Sequence, residues 1–249
     1  MSPPILLPPF SSLTTVWHNE SYSDIAPTRP GLSAGETVVV TGVGTGVGRA
    51  TALSFARAGA RKIKLLSCEN SVNAVSVTDE EAMIDIAAAA GTWEVLILAA
   101  GYLSAPALLK EGPADEWWLD FERYTNVKRT MIASKSTRPG TLVAQRSLES
   151  SGYFASKIAL IKVIEYIAAE NPNVFSAAVH PNMVATDVLR RGQTRASFRL
   201  ITGLPGDFMV WLTSPEGSFL TGRHAWADWD TKSSLLLTSG GYGWPYDQN

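Results

Sequence analysis

Tyr153 and Lys157 stand four residues apart in the run Tyr-Phe-Ala-Ser-Lys, at the start of a stretch whose pattern predicts a helix over 153–170. Side chains at i and i+4 are neighbours on one helix face, so the Lys157 ammonium can lie close to the Tyr153 hydroxyl. A phenol with a pKa of about 10 is a weak acid at neutral pH, and a nearby cation lowers that pKa by stabilising the phenolate. Such a pair can pass a proton to or from a carbonyl or an alcohol. Because solvated helix faces also carry this spacing, the pair gains meaning only from the rest of the chain.

A glycine-rich turn connects a predicted strand to a predicted helix. The β-branched run 36–41 leads into Gly42, Gly46 and Gly48, and residues 49–59 have helical spacing. Glycines let a backbone approach a phosphate closely, and the start of a helix presents free N–H groups to it. The turn therefore indicates a dinucleotide site, although glycines also serve as plain punctuation between a strand and a helix.

The elements that must position these residues alternate along the chain. Further strands are predicted at 62–67, 74–77, 94–99, 141–144 and 175–179, with an edge strand within 223–230, and a second long helix is predicted at 117–135. This alternation predicts an α/β fold with a mostly parallel sheet covered on both faces. Residues 1–35 are rich in Pro, Ser and Thr and predict an N-terminal arm, laid on the surface or mobile, ahead of a single domain at 36–249.

Composition narrows the function classes. A net charge of −2 with 18% charged residues gives no basic footprint for nucleic acid, so the predicted partner is a small molecule. With Cys68 as the single cysteine, an intrachain disulfide is excluded. The three histidines have no metal-ligand spacing, and no metal is predicted. The proline-broken opening predicts neither a signal peptide nor a membrane span, so the predicted location is the cytoplasm.

Taken together, five motifs resemble those of short-chain dehydrogenases/reductases of the fungal type, in the order found in that family. They are Thr41-Gly42-x-x-x-Gly46-x-Gly48, Ala99-Ala100-Gly101, Asn126, Tyr153-x-x-x-Lys157 and Pro181-x-x-x-x-Thr186. The resemblance covers about residues 36 to 230. It implies a Rossmann-type, doubly wound sheet, an NAD or NADP cofactor, and hydride transfer between that cofactor and a carbonyl or alcohol carbon.

The family's roles transfer to matching positions. The resemblance implies that Tyr153 is the general acid or base and that Lys157 also bonds the nicotinamide ribose. Asn126 would hold a water that links Lys157 to solvent, unless it is an ordinary helix-surface amide. Glu69, after the second strand, favours NAD over NADP, unless it is a solvated loop glutamate. The residues that the resemblance assigns to cofactor binding are Thr41, Gly42, Gly46, Val47, Gly48, Glu69, Ala100, Gly101, Asn126, Tyr153, Lys157, Val184 and Thr186.

The chain departs from the family pattern at several places. Residues 68–73 are too few for the helical crossover expected between the second and third strands, so the third strand is missing, it pairs antiparallel, or the sequence has lost a segment. The family's adenine-contacting acid is Ser76 here, and the catalytic serine has no match at its usual distance. Ser147, six residues before Tyr153, is the candidate in its place, unless it serves as a cap or turn residue. Asn182 replaces a family glycine, and Arg129 replaces a small residue.

These observations favour an oxidoreductase acting on a medium-sized, partly apolar substrate under a lid at about 186–217, in fungal secondary-metabolite biosynthesis. The alternatives are a non-redox isomerase, cyclase or binding protein on the same scaffold, and a degraded family member with weak cofactor binding. Many relatives form dimers or tetramers through the helices that correspond to 117–135 and 153–170. An apolar helix stripe serves core and interface alike, so the sequence leaves the oligomeric state open.

Overall fold

The described residues include six strands and three helices with defined bounds. The computed structural model describes residues 14–32, 35–66, 91–101, 112–115, 117–118, 141–145, 151–182, 184 and 202–234. The strands are β1 (Thr37–Thr41), β2 (Lys62–Leu66), β3 (Val95–Leu98), β4 (Thr141–Gln145), β5 (Phe175–His180) and β6 (His224–Trp226). The helices are α1 (Gly46–Arg57), α2 (Ser151–Glu170) and α3 (Gly203–Leu212), with 3-10 turns at Ser23–Ile25 and Pro215–Leu220.

The strands form one sheet in the order β2-β1-β3-β4-β5-β6, and every neighbouring pair is parallel. This confirms the predicted α/β class with a parallel sheet. Because all six strands run the same way, their carboxyl ends meet at one edge of the sheet, which is where ligands bind in such folds. The predicted third strand at 74–77 and the short connection before it lie outside the described residues.

The sheet is covered on both faces, as a doubly wound fold requires. Alternate β1 residues point in opposite directions. Val38 and Val40 pack in one core cluster with Phe55 of α1 and residues of α3, whereas Val39 packs in a second cluster with Leu160 and other residues of α2. Helices α1 and α3 therefore cover one face, and α2 covers the other.

One face of α2 is buried along its length. Its buried side chains Tyr153, Lys157, Leu160, Ile164 and Ile167 recur at intervals of four and three residues, which is the spacing of a single helix face. Because α2 leads into the parallel strand β5, its first turn lies near the carboxyl edge of the sheet. Tyr153 and Lys157 occupy that end of the helix.

The described part of the predicted arm contributes side chains to the core. Ile25 and Leu32 are fully buried in the cluster that also holds α1 and α3. The Ser21 hydroxyl donates a hydrogen bond of 2.6 Å to Asp207 of α3, and Trp17 pairs antiparallel with Trp229. The division of the chain at residue 35 stays a prediction, and residues 14–32 pack as part of the same body.

Two other predictions concern stretches that the described residues cover only in part. Of the predicted helix 117–135, residues 117 and 118 are described, and both are helical. Within the described residues, no helix combines the length and the apolar character needed to cross a membrane.

Candidate active site

The turn after β1 is packed so tightly that only glycine fits at two positions. Gly42 has φ +72°, and a Cβ there would stand 2.5 Å from the Ala100 Cα. A Cβ on Gly48 would stand 2.3 Å from the Gly42 carbonyl oxygen. Since real Cβ atoms do not approach backbone atoms that closely, both side chains are excluded by sterics.

Three strand ends are tied together around this turn. The Gly42 N–H donates to the Leu66 carbonyl at the end of β2 (2.8 Å), and the Ala100 N–H donates to the Thr41 hydroxyl (3.3 Å). The structure thus brings Thr41, Gly42, Gly48 and Ala100 together, as the sequence predicts for a cofactor cradle. Gly101 follows, and no atom of the described residues lies within 4 Å of its Cβ direction.

The start of α1 leaves donors available. The N-cap residue Thr45 is exposed, and its side chain makes no capping hydrogen bond. Gly46 follows in the left-handed region at φ +57°, and Val47 is buried beneath the turn. Free N–H groups at a helix start, beside a backbone stripped of side chains, match the needs of a pyrophosphate. The residues present therefore fit the phosphate part of a dinucleotide such as NAD or NADP.

Tyr153 and Lys157 are in contact in the structure. The Lys157 Nζ lies 5.0 Å from the centroid of the Tyr153 ring, within the range of a cation–π interaction. Both side chains are 2% exposed. The two side chains therefore form one buried pair at the start of α2. The structure brings the two predicted residues together, and their role in proton transfer stays a prediction.

The remaining predicted site residues divide between described and undescribed segments. Val184 is described, is buried, and donates its N–H to the Asn182 carbonyl at 3.0 Å. Asn126, Ser147, Glu69 and Thr186 lie outside the described residues, and their roles stay predictions. In the part of the chain that the structure describes, no three His, Cys, Asp or Glu side chains gather as a metal site would require.

A second polar arrangement lies where β5 ends. Asn182 has φ +64°, a left-handed conformation that glycine adopts freely and that asparagine tolerates better than most other residues. Its side-chain amide donates a short hydrogen bond to the Asp228 carboxylate, and its backbone N–H donates to the His180 Nδ1 at 3.0 Å. The departure from the family glycine at this position is thus compatible with the same backbone shape.

Sequence reasoning missed Asp228. This residue follows β6, is 2% exposed, and lies 46 residues from its partner Asn182. Burial raises the pKa of the Asp228 carboxyl to about 6, although the hydrogen bond from Asn182 acts in the other direction. The one local signal was Asn182 itself, an asparagine in place of a family glycine, and nothing in the sequence pointed from it to Asp228.

Comparisons with known proteins show the family of the chain. A short chain dehydrogenase/reductase of Aspergillus novofumigatus is 30% identical over 265 residues, covering 90% of this chain and 91% of the relative. A short chain dehydrogenase of Monascus purpureus is 27% identical over 271 residues, with the same coverage of both chains. No protein-family model matches the chain. The chain belongs to the short-chain dehydrogenase/reductase family.

Solved structures share the fold at lower identity. Aldohexose dehydrogenase of Thermoplasma acidophilum matches with a TM-score of 0.67 and 23% identity, over 87% of this chain and 98% of the other. A 7α-hydroxysteroid dehydrogenase in complex with NADH and a bile-acid ketone matches with a TM-score of 0.65 and 18% identity, over 83% and 96%. A protein described as ribose-5-phosphate isomerase of Brucella melitensis matches with a TM-score of 0.68 and 21% identity, over 84% and 96%. These similarities confirm the Rossmann-type fold.

Proposed function

We propose that this chain is an NAD- or NADP-dependent oxidoreductase that interconverts a carbonyl and a secondary alcohol, with Tyr153 as its proton donor and acceptor. The observation that carries the proposal is the contact between the buried Lys157 ammonium and the Tyr153 ring, at the sheet edge where the glycine turn also lies. A proton-transfer pair and a phosphate cradle at one edge are the two halves that such a reaction needs.

The chain's own residues account for the proton and the orientation. In the reducing direction, the Tyr153 hydroxyl gives its proton to the substrate oxygen, and the Lys157 charge stabilises the phenolate that remains. In the oxidising direction, the phenolate takes the proton from the alcohol. Both side chains sit on a helix whose next turns are anchored in the core by Leu160 and Ile164, so their positions are fixed by packing.

Gly42, Gly46 and Gly48 would hold the pyrophosphate, with Thr41 and Val47 beneath them and Ala100 and Gly101 along the cofactor. When bound, the nicotinamide supplies or accepts the hydride at the substrate carbon. Glu69, known here from sequence alone, supports NAD over NADP, because an acidic side chain after the second strand bonds the ribose 2′-hydroxyl and repels a 2′-phosphate.

For the substrate, we propose a medium-sized, partly apolar ketone or alcohol of fungal secondary metabolism. The mixture of arginines and apolar residues in 186–217 supports the size and polarity, and the fungal origin of the short chain dehydrogenases of Monascus and Aspergillus supports the setting.

The test compares Tyr153→Phe with the matched control Tyr166→Phe in the purified protein. Tyr166 lies on the same helix but is 62% exposed. With NADH or NADPH and a panel of such ketones, we expect Tyr153→Phe to lower kcat by about 100- to 10,000-fold, because a general acid contributes that much. Tyr166→Phe should keep full activity and unchanged cofactor affinity, measured by calorimetry, and Tyr153→Phe should still bind the cofactor measurably, which separates lost proton transfer from lost folding.

Two outcomes would count against the proposal. If the wild-type protein binds neither NADH nor NADPH and turns over no ketone, the redox assignment is wrong. If activity toward an isomerisable substrate persists after Gly46→Asp, which blocks pyrophosphate approach, a non-redox isomerase or cyclase on the same scaffold replaces it. We include that alternative because the Brucella protein that shares the fold is described as an isomerase.

A further inference from the structure

The turn after β5 is held by a side-chain pair that the reaction scheme above does not use. Asn182 is 5% exposed and Asp228 is 2% exposed, so their hydrogen bond is shielded from solvent. The bond joins Asn182, which follows β5, to Asp228, the second residue after β6. It therefore links the ends of two neighbouring strands at one side of the sheet. Since a left-handed backbone costs a non-glycine residue energy, the bond offsets the cost of the conformation at 182.

The backbone on the β5 side is fixed from a second direction. The Asn182 N–H donates to the His180 Nδ1, and the His180 ring stacks on Trp226 with a centroid distance of 3.9 Å. The His180 carbonyl accepts from the Ala227 N–H at 2.9 Å. The first residues of the segment 181–186 therefore leave the sheet in a direction set by contacts with the end of β6.

Asp228 is itself held by the N-terminal segment. The His18 N–H donates to the Asp228 carbonyl at 2.8 Å, and Trp17 pairs with Trp229. The carboxylate Oδ1 of Asp228 has no hydrogen-bond partner among the described residues, and Asn182 is the side-chain donor that the structure gives this carboxylate, beside the backbone of Asp228 itself. Because the backbone is held at both residues, the Asn182–Asp228 hydrogen bond links the turn after β5 to the turn after β6 in a fixed geometry.

We propose that Asn182 and Asp228 are positioning residues for the nicotinamide half of the cofactor: their bond holds the backbone at Asn182, and through it Val184, in the position from which Val184 contacts that half. The proposal rests on the proposed function and on the cofactor-binding role that the family resemblance implies for Val184. Neither Asn182 nor Asp228 is assigned a contact with the reacting atoms. Their effect is to remove the cost of ordering this segment when the cofactor binds.

This role has a signature that general destabilisation lacks. The glycine turn after β1 would hold the pyrophosphate and the adenosine ribose, and that turn is built from β1, β2, β3 and α1. Loss of the Asn182–Asp228 bond should therefore weaken binding of the whole dinucleotide and leave binding of ADP-ribose, which lacks the nicotinamide, unchanged.

The experiment measures the dissociation constants of NADH and ADP-ribose by calorimetry for the full chain. If the wild type binds NADPH instead, the probes are NADPH and 2′-phospho-ADP-ribose. Asn182→Gly removes the side-chain donor and suits φ +64°, so it adds no backbone strain. We expect it to weaken NADH binding by about tenfold, because a buried carboxylate is left without its donor, and to leave ADP-ribose binding unchanged.

Two variants at residue 228 sharpen the result. Asp228→Ala should match Asn182→Gly, and the double variant should be no weaker than either single variant, because both remove the same bond. Asp228→Asn retains an acceptor oxygen and should restore most of the NADH affinity. The control is Asp207→Asn, which changes a carboxylate of similar burial on α3 that accepts from Ser21 and Ser54 and not from Asn182. It should lower thermal stability without changing the ratio of the two constants.

The possible outcomes distinguish failure of the positioning role from failure of the proposed function. A selective loss of NADH affinity, restored by Asp228→Asn, supports the proposal. Equal weakening of NADH and ADP-ribose, or no weakening of either, overturns it and leaves the proposed function standing. If the wild type binds neither probe, the proposed function fails and the positioning role fails with it. Should Asp228→Ala not fold, Asn182→Gly decides alone.

Discussion

The turn after β1 and the turn after β5 lie at the same edge of the sheet, but they are held in different ways. After β1, backbone packs directly on backbone, and Gly42 and Gly48 leave no room for a side chain. After β5, a side-chain hydrogen bond between Asn182 and Asp228 spans two strands. The first arrangement is local in the chain and rigid by sterics, whereas the second depends on residues far apart in sequence and on the ionisation of a buried acid.

The largest effect is expected from filling the first turn. Gly42→Ala should abolish dinucleotide binding, a loss of at least about 100-fold, because its Cβ would overlap the Ala100 backbone and displace the cradle. Calorimetry with NADH and ADP-ribose measures this loss, which here should affect both probes equally.

Gly59→Ala is the matched control for Gly42→Ala. Gly59 also has a positive φ, of +88°, but no atom lies within 4 Å of its Cβ direction. It should lower the free energy of unfolding by only about 1 kcal/mol, the usual cost of a left-handed alanine, and leave nucleotide affinity intact. If both variants behaved alike, backbone strain alone would explain the glycine, and the steric account of the turn would be wrong.

An intermediate effect is expected from the N-terminal segment that braces the second turn. Ile25→Ala should lower the free energy of unfolding by about 2–5 kcal/mol, since it empties a fully buried site in the core. Val16→Ala, in the same segment but at a side chain 48% exposed, should change it by less than about 0.5 kcal/mol. Urea denaturation measures both, and similar small values would show that residues 14–32 add nothing to the fold.

The smallest effect concerns the charge state of the second turn. Burial holds the pKa of Asp228 at about 6, above the ordinary value of 3.8 that we expect in the unfolded chain. A raised pKa in the folded state stabilises the fold at low pH, and that contribution is lost as the pH rises from about 4 to about 6. The span corresponds to about 3 kcal/mol at most, using 1.36 kcal/mol for each unit.

Asp228→Asn isolates this contribution. The difference in unfolding free energy between the variant and the wild type should grow in favour of the variant between pH 4 and pH 7, to a plateau above pH 6. Asp230 titrates in the opposite sense, because hydrogen bonds from Ser233 and His18 lower its pKa in spite of its burial. Subtracting the wild-type curve of unfolding free energy against pH from the curve of the variant cancels the contribution of Asp230. If these two curves were parallel, they would contradict the raised pKa of Asp228.

The same contrast explains what the sequence revealed. The strand, glycine turn and helix at 36–59 are specified within some two dozen residues. The residue type at each position indicates a strand, a turn or a helix, so this part of the site could be predicted. Tyr153 and Lys157 are likewise neighbours in the chain, and their contact follows from the helix alone. Asp228 could not be predicted, because its role arises only when β5 and β6 pair in the sheet.

The N-terminal segment was also hard to interpret from sequence. Its Pro, Ser and Thr content indicates an arm, yet Ile25 and Leu32 are two isolated apolar residues with no helical or strand period to show that they enter the core. Burial of single side chains from irregular segments depends on the shape of the surface they meet, which here is made by α1 and α3.

The attachment of residues 14–32 has a practical consequence for anyone exchanging parts between members of this family. In this chain the carboxylates of Asp207 and Asp230 form hydrogen bonds with Ser21 and His18. Grafting a relative's first thirty or so residues onto this chain would place that relative's side chains opposite these two carboxylates. Hybrid enzymes of this kind should be most stable when the N-terminal segment and the residues after β6 are taken from the same parent.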